Sequence, residues 1–308
     1  MKKEPFVSII ICTHNRKEAL EKLAFKSIQK LDYSNYEVIV VDDASTDGTE
    51  KLVKKYQDKI LSLRYINNKK NKGLCYVRNL GIKYSKGDII VFIDDDCYVD
   101  NNWLKELVKP YSKDNKIMVV GGESYMGNSK KRYNNRRNIY GCNMSFRKKI
   151  FNKFLFDSNL YFNKSSVHDE TELIYRIKRK KFKTFYTEKA IVKHFAMPAD
   201  HRKNFILGGP LNQIYMITKK ISLIEYYSHF INYLILNNQK FNKKPDIEKN
   251  SEEGFNRLRQ ILFIEKISYY GYNLYTLFWI YYLLLLKIPI KAKIKNWLEE
   301  RKIRKNIL

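Results

Sequence analysis

Residues 87–96 read GDIIVFIDDD: a glycine, the uninterrupted apolar run Ile89–Ile93, and three consecutive carboxylates. A short continuous apolar run bounded by polar residues is expected of a strand buried on both faces, as in a parallel sheet. Working outward, the same pattern recurs at Val7–Cys12 before Thr13-His14-Asn15 and at Tyr36–Val41 before Asp42-Asp43. Shorter runs stand at Leu63–Ile66 and at Ile117–Val120 before Gly121-Gly122. Between them lie stretches of helical period. Arg16–Leu31 carries Ala19, Leu20, Leu23, Ala24, Ile28 and Leu31 on one stripe. Leu52, Val53, Tyr56 and Ile60 form a second stripe, with Ser45, Thr46 or Asp47 as its start, and Gly73–Tyr84 forms a third helix. Asn102–Val108 reads as a short helix stopped by Pro110. Strands alternating with helices predict an α/β domain, a mostly parallel sheet with helices on both faces.

The chain has 308 residues, 44% of them hydrophobic, which excludes disorder for most of its length. Its four cysteines are scattered without a C-x-x-C pair, so neither a disulfide framework nor a zinc finger is indicated, and reduced cytosolic thiols are expected. The opening MKKEPFVSIIICTHN has an apolar core of only Phe6–Cys12 and no small-residue cleavage site, so it reads as a strand, not a secretion signal. A net charge of +27 implies an anionic partner. Residues 128–153 hold nine Lys/Arg and no acid and read as a basic loop region. Alternation resumes with Gly141–Phe146, an acidic helix start at His168–Glu172 running to about Lys180, and strands at Thr184–Tyr186 and Ile191–His194. The expected layout is a catalytic domain over 1–200, with halves of 1–122 and 123–200, then a helical, aromatic and basic region over 201–308.

Ligands of open α/β sheets bind outside the carboxyl ends of the strands, and the polar residues here are concentrated at those ends. Like charges packed together destabilise a fold unless a cation or hydrogen-bond donors compensate. In extended chain Asp94 and Asp96 share a face. A few hard oxygen ligands of this kind suit Mg²⁺ or Mn²⁺ held jointly with substrate phosphates. The plainer alternatives are an acidic turn at 94–96 and simple helix capping by Ser45, Thr46 or Asp47.

The strings VSIIICTHNR (7–16), VDDASTDGT (41–49), NKGLCYVRNLGI (71–82), GDIIVFIDDD (87–96), GCNMSFR (141–147) and HDETEL (168–173) occur in that order. Together they resemble the family 2 glycosyltransferases, nucleotide-sugar-dependent enzymes of the GT-A fold, over roughly residues 5–200. That resemblance implies a Rossmann-like nucleotide-binding sheet and roles for individual residues. Thr13, Asn15 and Arg16 would line the nucleotide pocket. Asp43, with Asp42 beside it, would accept a hydrogen bond from the nucleobase edge. Gly73 and Arg78 would lie under the donor, Arg78 either neutralising pyrophosphate or serving as a structural ion pair. Asp94, Asp95 and Asp96 match the family's D-x-D element, with Asp96 as metal ligand, Asp94 on donor ribose or metal, and His194 completing the metal shell. HDETEL departs from the family's usual Glu-Asp order, so Glu170 occupies the position of the general base and Asp169 remains a second candidate. Glu172 and Asn143 fall on the acceptor side. The resemblance further implies inverting transfer of a sugar, from a UDP-sugar in the first instance, to a hydroxyl of a glycan or lipid-linked acceptor in surface polysaccharide or glycolipid synthesis.

Residues 267–286 contain no charge and are followed by a segment with eight Lys/Arg and two Glu. A helix lying in the inner face of the cell membrane, a buried helix and a true span are the three readings, and the first fits the basic flank. Two rival functions remain. A nucleotidyltransferase would bring a Gly-rich phosphate loop where Thr13–Arg16 stands. A nucleic-acid module would bring a recognisable motif beside the basic segments, and none is present, so nucleic acid is not expected as a partner. A second copy of the chain stays open as a partner.

Overall fold

The computed structural model describes residues 4–129, 132, 138–160 and 168–195. β1 (Val7–Thr13), β2 (Tyr36–Asp42), β3 (Leu63–Asn67) and β4 (Ile89–Asp94) stand where the apolar runs predict them. α1 comprises Lys17–Ala19, a π-helical segment Leu20–Phe25 and Lys26–Ile28. α2 (Thr49–Tyr56) and α3 (Leu74–Tyr84) follow β2 and β3. Then come β5 (Cys97–Val99), α4 (Trp103–Lys113), β6 (Ile117–Met126), β7 (Met144–Arg147), α5 (Asp169–Arg179) and β8 (Lys183–His194).

All eight strands form one sheet in the order β3-β2-β1-β4-β7-β6-β8-β5. The β3-β2-β1-β4 half is parallel throughout. Beyond it the sheet is mixed, because β7 runs antiparallel to both β4 and β6, β6 pairs parallel with β8, and β5 pairs antiparallel with β8. One face buries Val7, Ile9 and Ile11 of β1 with Leu20, Phe25, Leu52, Val53 and Trp103. The other face carries Ile10, which with Val41 meets Gly81 of α3 so closely that a Cβ there would lie 2.6 Å from Ile10. Phe92, Phe146, Phe151 and Phe156 pack beside them, edge to face or tilted, with ring centroids 5.1–6.5 Å apart. Each fully buried side chain of this size contributes about 1.5–3 kcal/mol, so the continuous apolar runs are explained by burial from both sides.

Several local readings need correction. Pro110 does not stop α4, which continues to Lys113. A proline in a helix removes one hydrogen bond, and the burial of Leu107, Val108 and Tyr111, with the Tyr111 hydroxyl 3.0 Å from Ser145 Oγ, offsets that loss. The stretch 128–153 is not loop throughout: Met144 and Phe146 sit in a central strand, and Ile150 and Phe151 are buried in a 3-10 turn. The two strands expected at 184–186 and 191–194 are one, β8, interrupted by a register shift opposite Gly122 and Glu123. None of Ser45, Thr46 and Asp47 is the N-cap of α2, which is Gly48 at φ 89; Asp47, one residue earlier, accepts the Thr49 N–H at 3.1 Å. The readings for 201–308, including 267–286, lie outside the described residues. Among the described residues no helix is long and apolar enough to cross a membrane.

Candidate active site

The parallel register sets the strand tips side by side. Thr13 pairs with Asp42 on β2, and Cys12 pairs with Asp94 on β4. The loops that leave these tips turn sharply, with left-handed backbone at Asn15 (φ 52) and Ala44 (φ 66). Asn15 ties them together: its Oδ1 accepts the Thr46 N–H at 2.7 Å, and its own N–H donates to Ser45 Oγ at 2.8 Å.

Asp42 and Asp43 are both buried. Asp42 accepts from Tyr65 Oη at 2.5 Å and from the Ser45 N–H at 2.8 Å. Asp43 accepts from Asn68 Nδ2 at 2.8 Å, from the Lys72 N–H at 2.9 Å and from the Gly73 N–H at 2.7 Å. Its own N–H donates to Thr13 O at 2.9 Å. Gly73 stands at φ 87, ψ 164, a conformation open to glycine and strained for any other residue. The residue type at 73 is therefore what lets the backbone deliver an N–H to Asp43.

Thr13 links this pocket to the second acidic group by donating from Oγ1 to Asp95 Oδ2 at 2.8 Å. Arg16 spans Asp95 (3.3 Å) and Asp96 (2.5 Å). Burial pushes the Asp95 carboxyl up to about 7, the dominant effect, against the pull of Arg16 and Thr13. At Asp96 burial also raises, but the hydrogen bond from His194 and the charges of His194 and Arg16 outweigh it and hold the carboxyl low. His194 Nε2 lies 3.1 Å from Asp96 Oδ1. Burial disfavours its charged form, yet the bond to Asp96 and the charges of its neighbours raise the imidazole to about 9.

β5 brings these groups together. Asp94 and Asp96 lie immediately before it in the chain, and Cys97 is the antiparallel partner of His194 on β8. One ligand atom each from Asp94, Asp96, Cys97 and His194 all fall within 4.8 Å of one another. Two carboxylates and an imidazole form a donor set that suits Mg²⁺ or Mn²⁺ shared with phosphate oxygens, so the residues fit a divalent cation.

A third group meets Asp94 through Arg78. Arg78 on α3 is buried, ion-paired with Asp169 and 3.4 Å from Asp94, and its guanidinium lies 5.8 Å from the Phe92 ring centre and 5.3 Å from that of Phe156. Gly141 leaves room for it, since a Cβ there would fall 2.6 Å from Arg78 Nη2. Asp169 and Glu170 open α5 behind His168, which adopts φ 72. Asp169 is buried, whereas Glu170 is partly exposed. Desolvation, then the charge of Asp169, raise the Glu170 carboxyl well above its ordinary value, with Arg78 opposing.

Two acceptor-side candidates are placed differently. Glu172 is fully buried and forms a two-pronged pair with Arg176 at 2.8 and 2.7 Å, one turn along the same helix. Asn143 is also fully buried. Its Oδ1 accepts from Trp103 Nε1 at 2.9 Å, and its Nδ2 donates to the carbonyls of Glu123 and Ala190 at 2.8 and 2.9 Å. It joins α4, β6 and β8 within the fold. Sequence reasoning missed Tyr65, Asn68 and Cys97. Tyr65 lies within β3 and Asn68 just beyond it, where adjacency to β2 was the available signal, and a three-residue strand such as β5 leaves no periodic trace.

A parallel nucleotide-type half-sheet, an acidic pocket at its carboxyl edge and a D-x-D segment facing a histidine define a GT-A architecture. The sequence profile of glycosyl transferase family 2 matches residues 8–197, and the chain belongs to that family. It is 32% identical to glycosyltransferase AglE of Haloferax volcanii over 140 residues, covering 44% of this chain and 46% of that one. It is 33% identical to an Escherichia coli chondroitin synthase over 129 residues, covering 41% and 18% respectively. The chain thus spans less than half the length of these relatives. Among solved structures, the mannosyltransferase PcManGT of Pyrobaculum calidifontis, in complex with GDP-Man and Mn²⁺, aligns with TM-score 0.58 at 18% identity over 71% of this chain and 65% of that one. TarS 1–349 of S. aureus with UDP-GlcNAc aligns with TM-score 0.53 at 19% identity over 68% and 66%. At such identities the structural likeness speaks for the fold alone.

Proposed function

We propose that this chain is a metal-dependent, inverting glycosyltransferase that moves a sugar from a nucleotide-sugar, a UDP-sugar in the first instance, to a hydroxyl of a glycan or lipid-linked acceptor. The observation that carries the reading is the unbroken path of hydrogen bonds and ion pairs from Asp43 through Thr13 to Asp95, Arg16, Asp96 and His194. Asp42 and Asp43, with Thr13, Asn15 and Arg16, form the nucleoside side. Asp94, Asp96 and His194 would hold a divalent cation, which when bound supplies positive charge against the departing diphosphate. Binding of GDP-Man with Mn²⁺ by one fold relative and of UDP-GlcNAc by another supports a donor of this class.

Glu170 is the better general base of the two carboxylates. Asp169 is neutralised by Arg78, whereas Glu170 is partly exposed and its raised proton affinity makes it the stronger base for taking a proton from a hydroxyl. Glu170 must be ionised to act, so turnover rises with pH through its raised pKa. Arg78 positions Asp169 and Asp94 and keeps the two clusters from repelling each other. Glycan-building names among the relatives, such as chondroitin synthase, support a surface polysaccharide or glycolipid product. The uncharged run 267–286 and its basic flank support attachment to the cytoplasmic face of an anionic membrane. Sedimentation with anionic liposomes, lost on removal of residues 267–308, tests that attachment.

The test of the central reading is a thermal-shift panel of UDP-, GDP-, TDP- and CMP-sugars with and without Mn²⁺, since a ligand stabilises the state that binds it. One nucleotide-sugar stabilises the protein only with the metal present, and Asp96→Asn abolishes both that shift and metal-dependent turnover. Metal-independent turnover at the wild-type level in Asp96→Asn would overturn the reading.

A further inference from the structure

The cation site contains a sulfur. Cys97 is fully buried, is the register partner of His194 across the β5–β8 pair, and contributes Sγ to the group of atoms lying within 4.8 Å together with Asp94, Asp96 and His194. Directly opposed residues on an antiparallel pair project from the same face, so Cys97 and His194 approach the D-x-D carboxylates from one side. A four-coordinate ion at about 2.0–2.3 Å from each ligand separates the ligand atoms by roughly 3.3–3.8 Å, inside the 4.8 Å span of this group. Cys142 is buried as well, and its Sγ donates to Ser124 Oγ at 3.7 Å.

We propose, building on the reading of Asp94, Asp96 and His194 as a cation site, that Cys97 is a fourth ligand which makes the site thiophilic. Ions of the Zn²⁺ and Cd²⁺ class then bind with Cys97 Sγ coordinated and more tightly than Mg²⁺. A hard ion such as Mg²⁺ gains nothing from sulfur, whereas soft thiolate ligands select zinc-like ions over it. As the metal–sulfur bond forms, the S–H bond breaks and the thiol proton leaves to solvent. No redox change occurs. Such an ion occupies the carboxylates that Mg²⁺ or Mn²⁺ would use, so it competes with the working cation.

The experiment uses the full chain, without nucleotide, as wild type, Cys97→Ser, Cys142→Ser and Asp96→Asn. Cd²⁺ alone is titrated while the ultraviolet thiolate-to-cadmium charge-transfer band is followed. Zn²⁺, Mg²⁺ and Mn²⁺ affinities are measured by calorimetry. The wild type develops the band at one equivalent, Cys142→Ser keeps it and Cys97→Ser loses it. In Cys97→Ser the Zn²⁺ affinity falls at least about tenfold, no less than loss of an outer-shell partner costs, while Mg²⁺ affinity stays within about twofold. A band or a Zn²⁺ affinity unchanged in Cys97→Ser overturns the proposal. Circular dichroism of the metal-free proteins checks folding, and Cys97→Ala replaces the serine variant if that one is unfolded. Mn²⁺ binding that depends on Asp96, with no thiolate band in the wild type, sinks only the sulfur ligand. Loss of Asp96 without effect on any metal sinks the cation site itself.

Discussion

Arg78→Met separates the positioning role of the arginine from its charge. The substitution keeps most of the volume packed between Phe92 and Phe156 but removes the partner of Asp169, a side chain 3% exposed. Breaking a buried pair by deleting one member costs about 3–5 kcal/mol, because the other charge is left uncompensated. A domain of this size shifts its melting temperature by roughly 2–4 °C per kcal/mol, so the variant melts about 6–20 °C below wild type. Adding Asp169→Asn removes the stranded charge, and the double variant recovers about 0.5–3 kcal/mol relative to additivity, the range found for residues in contact. Thermal and urea unfolding of the four proteins of this cycle supply the numbers. Two results would refute the argument: a loss below about 1 kcal/mol in Arg78→Met, or a double variant less stable than the sum of the singles. Either would mean that Arg78 reaches solvent and is not the buried counter-ion described above.

Asn143→Ala leaves Trp103 Nε1–H and the carbonyls of Glu123 and Ala190 without partners; at about 1–3 kcal/mol for each buried group, urea unfolding shows a loss of about 3 kcal/mol or more with donor affinity unchanged. Gly141→Ala drives a methyl into the Arg78 guanidinium, so stability falls by about 1–3 kcal/mol and turnover drops, whereas donor-dependent thermal shifts persist. Buried Glu37 accepts from Ser8 at 2.7 Å, Arg64 at 2.8 Å and the Lys86 N–H at 2.6 Å. Although burial works against it, these donors lower its pKa below 4.5. The stability it contributes is present above the unfolded-state value and is lost as pH falls through the lower folded value. The gap in urea midpoint between wild type and Glu37→Gln is therefore full at pH 7 and shrinks below pH 4.5. Glu170→Gln removes turnover by about 10²-fold or more while keeping donor binding, and Glu170→Asp restores part of it.

The parallel half of the sheet was legible because burial on both faces writes a continuous apolar run, and each run here ends in the polar residues that the register then aligns. Asp94 and Asp96 were read from an ordered motif and His194, about a hundred residues on, from the family resemblance, and β5 shows why they meet. What stayed hidden was non-local. The excursion at Glu123, the passage of α4 through Pro110 and the burial of Asn143 all depend on packing partners far away in sequence. Local propensity carries no record of Trp103 reaching Asn143 or of Tyr111 anchoring the last turn of α4. The basic segment 128–153 misled for a related reason. Its charges are real, but Phe146 and Phe151 within it answer to Phe92 on another strand.

The cluster places Asp42, Asp43, Asp94, Asp95, Asp96, Asp169 and Glu170 at the carboxyl edge of the sheet, against Arg16, Arg78 and His194. In a protein of net charge +27, the described residues meet this edge with planar guanidinium groups that two carboxylates can share, which lose less on burial than a compact ammonium on a flexible stem. Two arginines do it, each bridging a pair: Arg16 joins Asp95 to Asp96, and Arg78 joins Asp94 to Asp169. Asp43 instead relies on neutral donors from Asn68, Lys72 and Gly73, so it needs no counter-ion. Burial is the main reason that Asp95 holds its proton to about pH 7, and the nearby charges of Asp96 and Asp94 add to it, so added positive charge there would be stabilising. A divalent cation at Asp94, Asp96 and His194 would supply that charge. Raising pH from 6 to 8 therefore strengthens cation binding by ionising Asp95 and discharging part of the His194 population. Titration calorimetry with Mn²⁺ across that range should show affinity rising with pH in wild type, and a flat response would contradict this account of the charge balance.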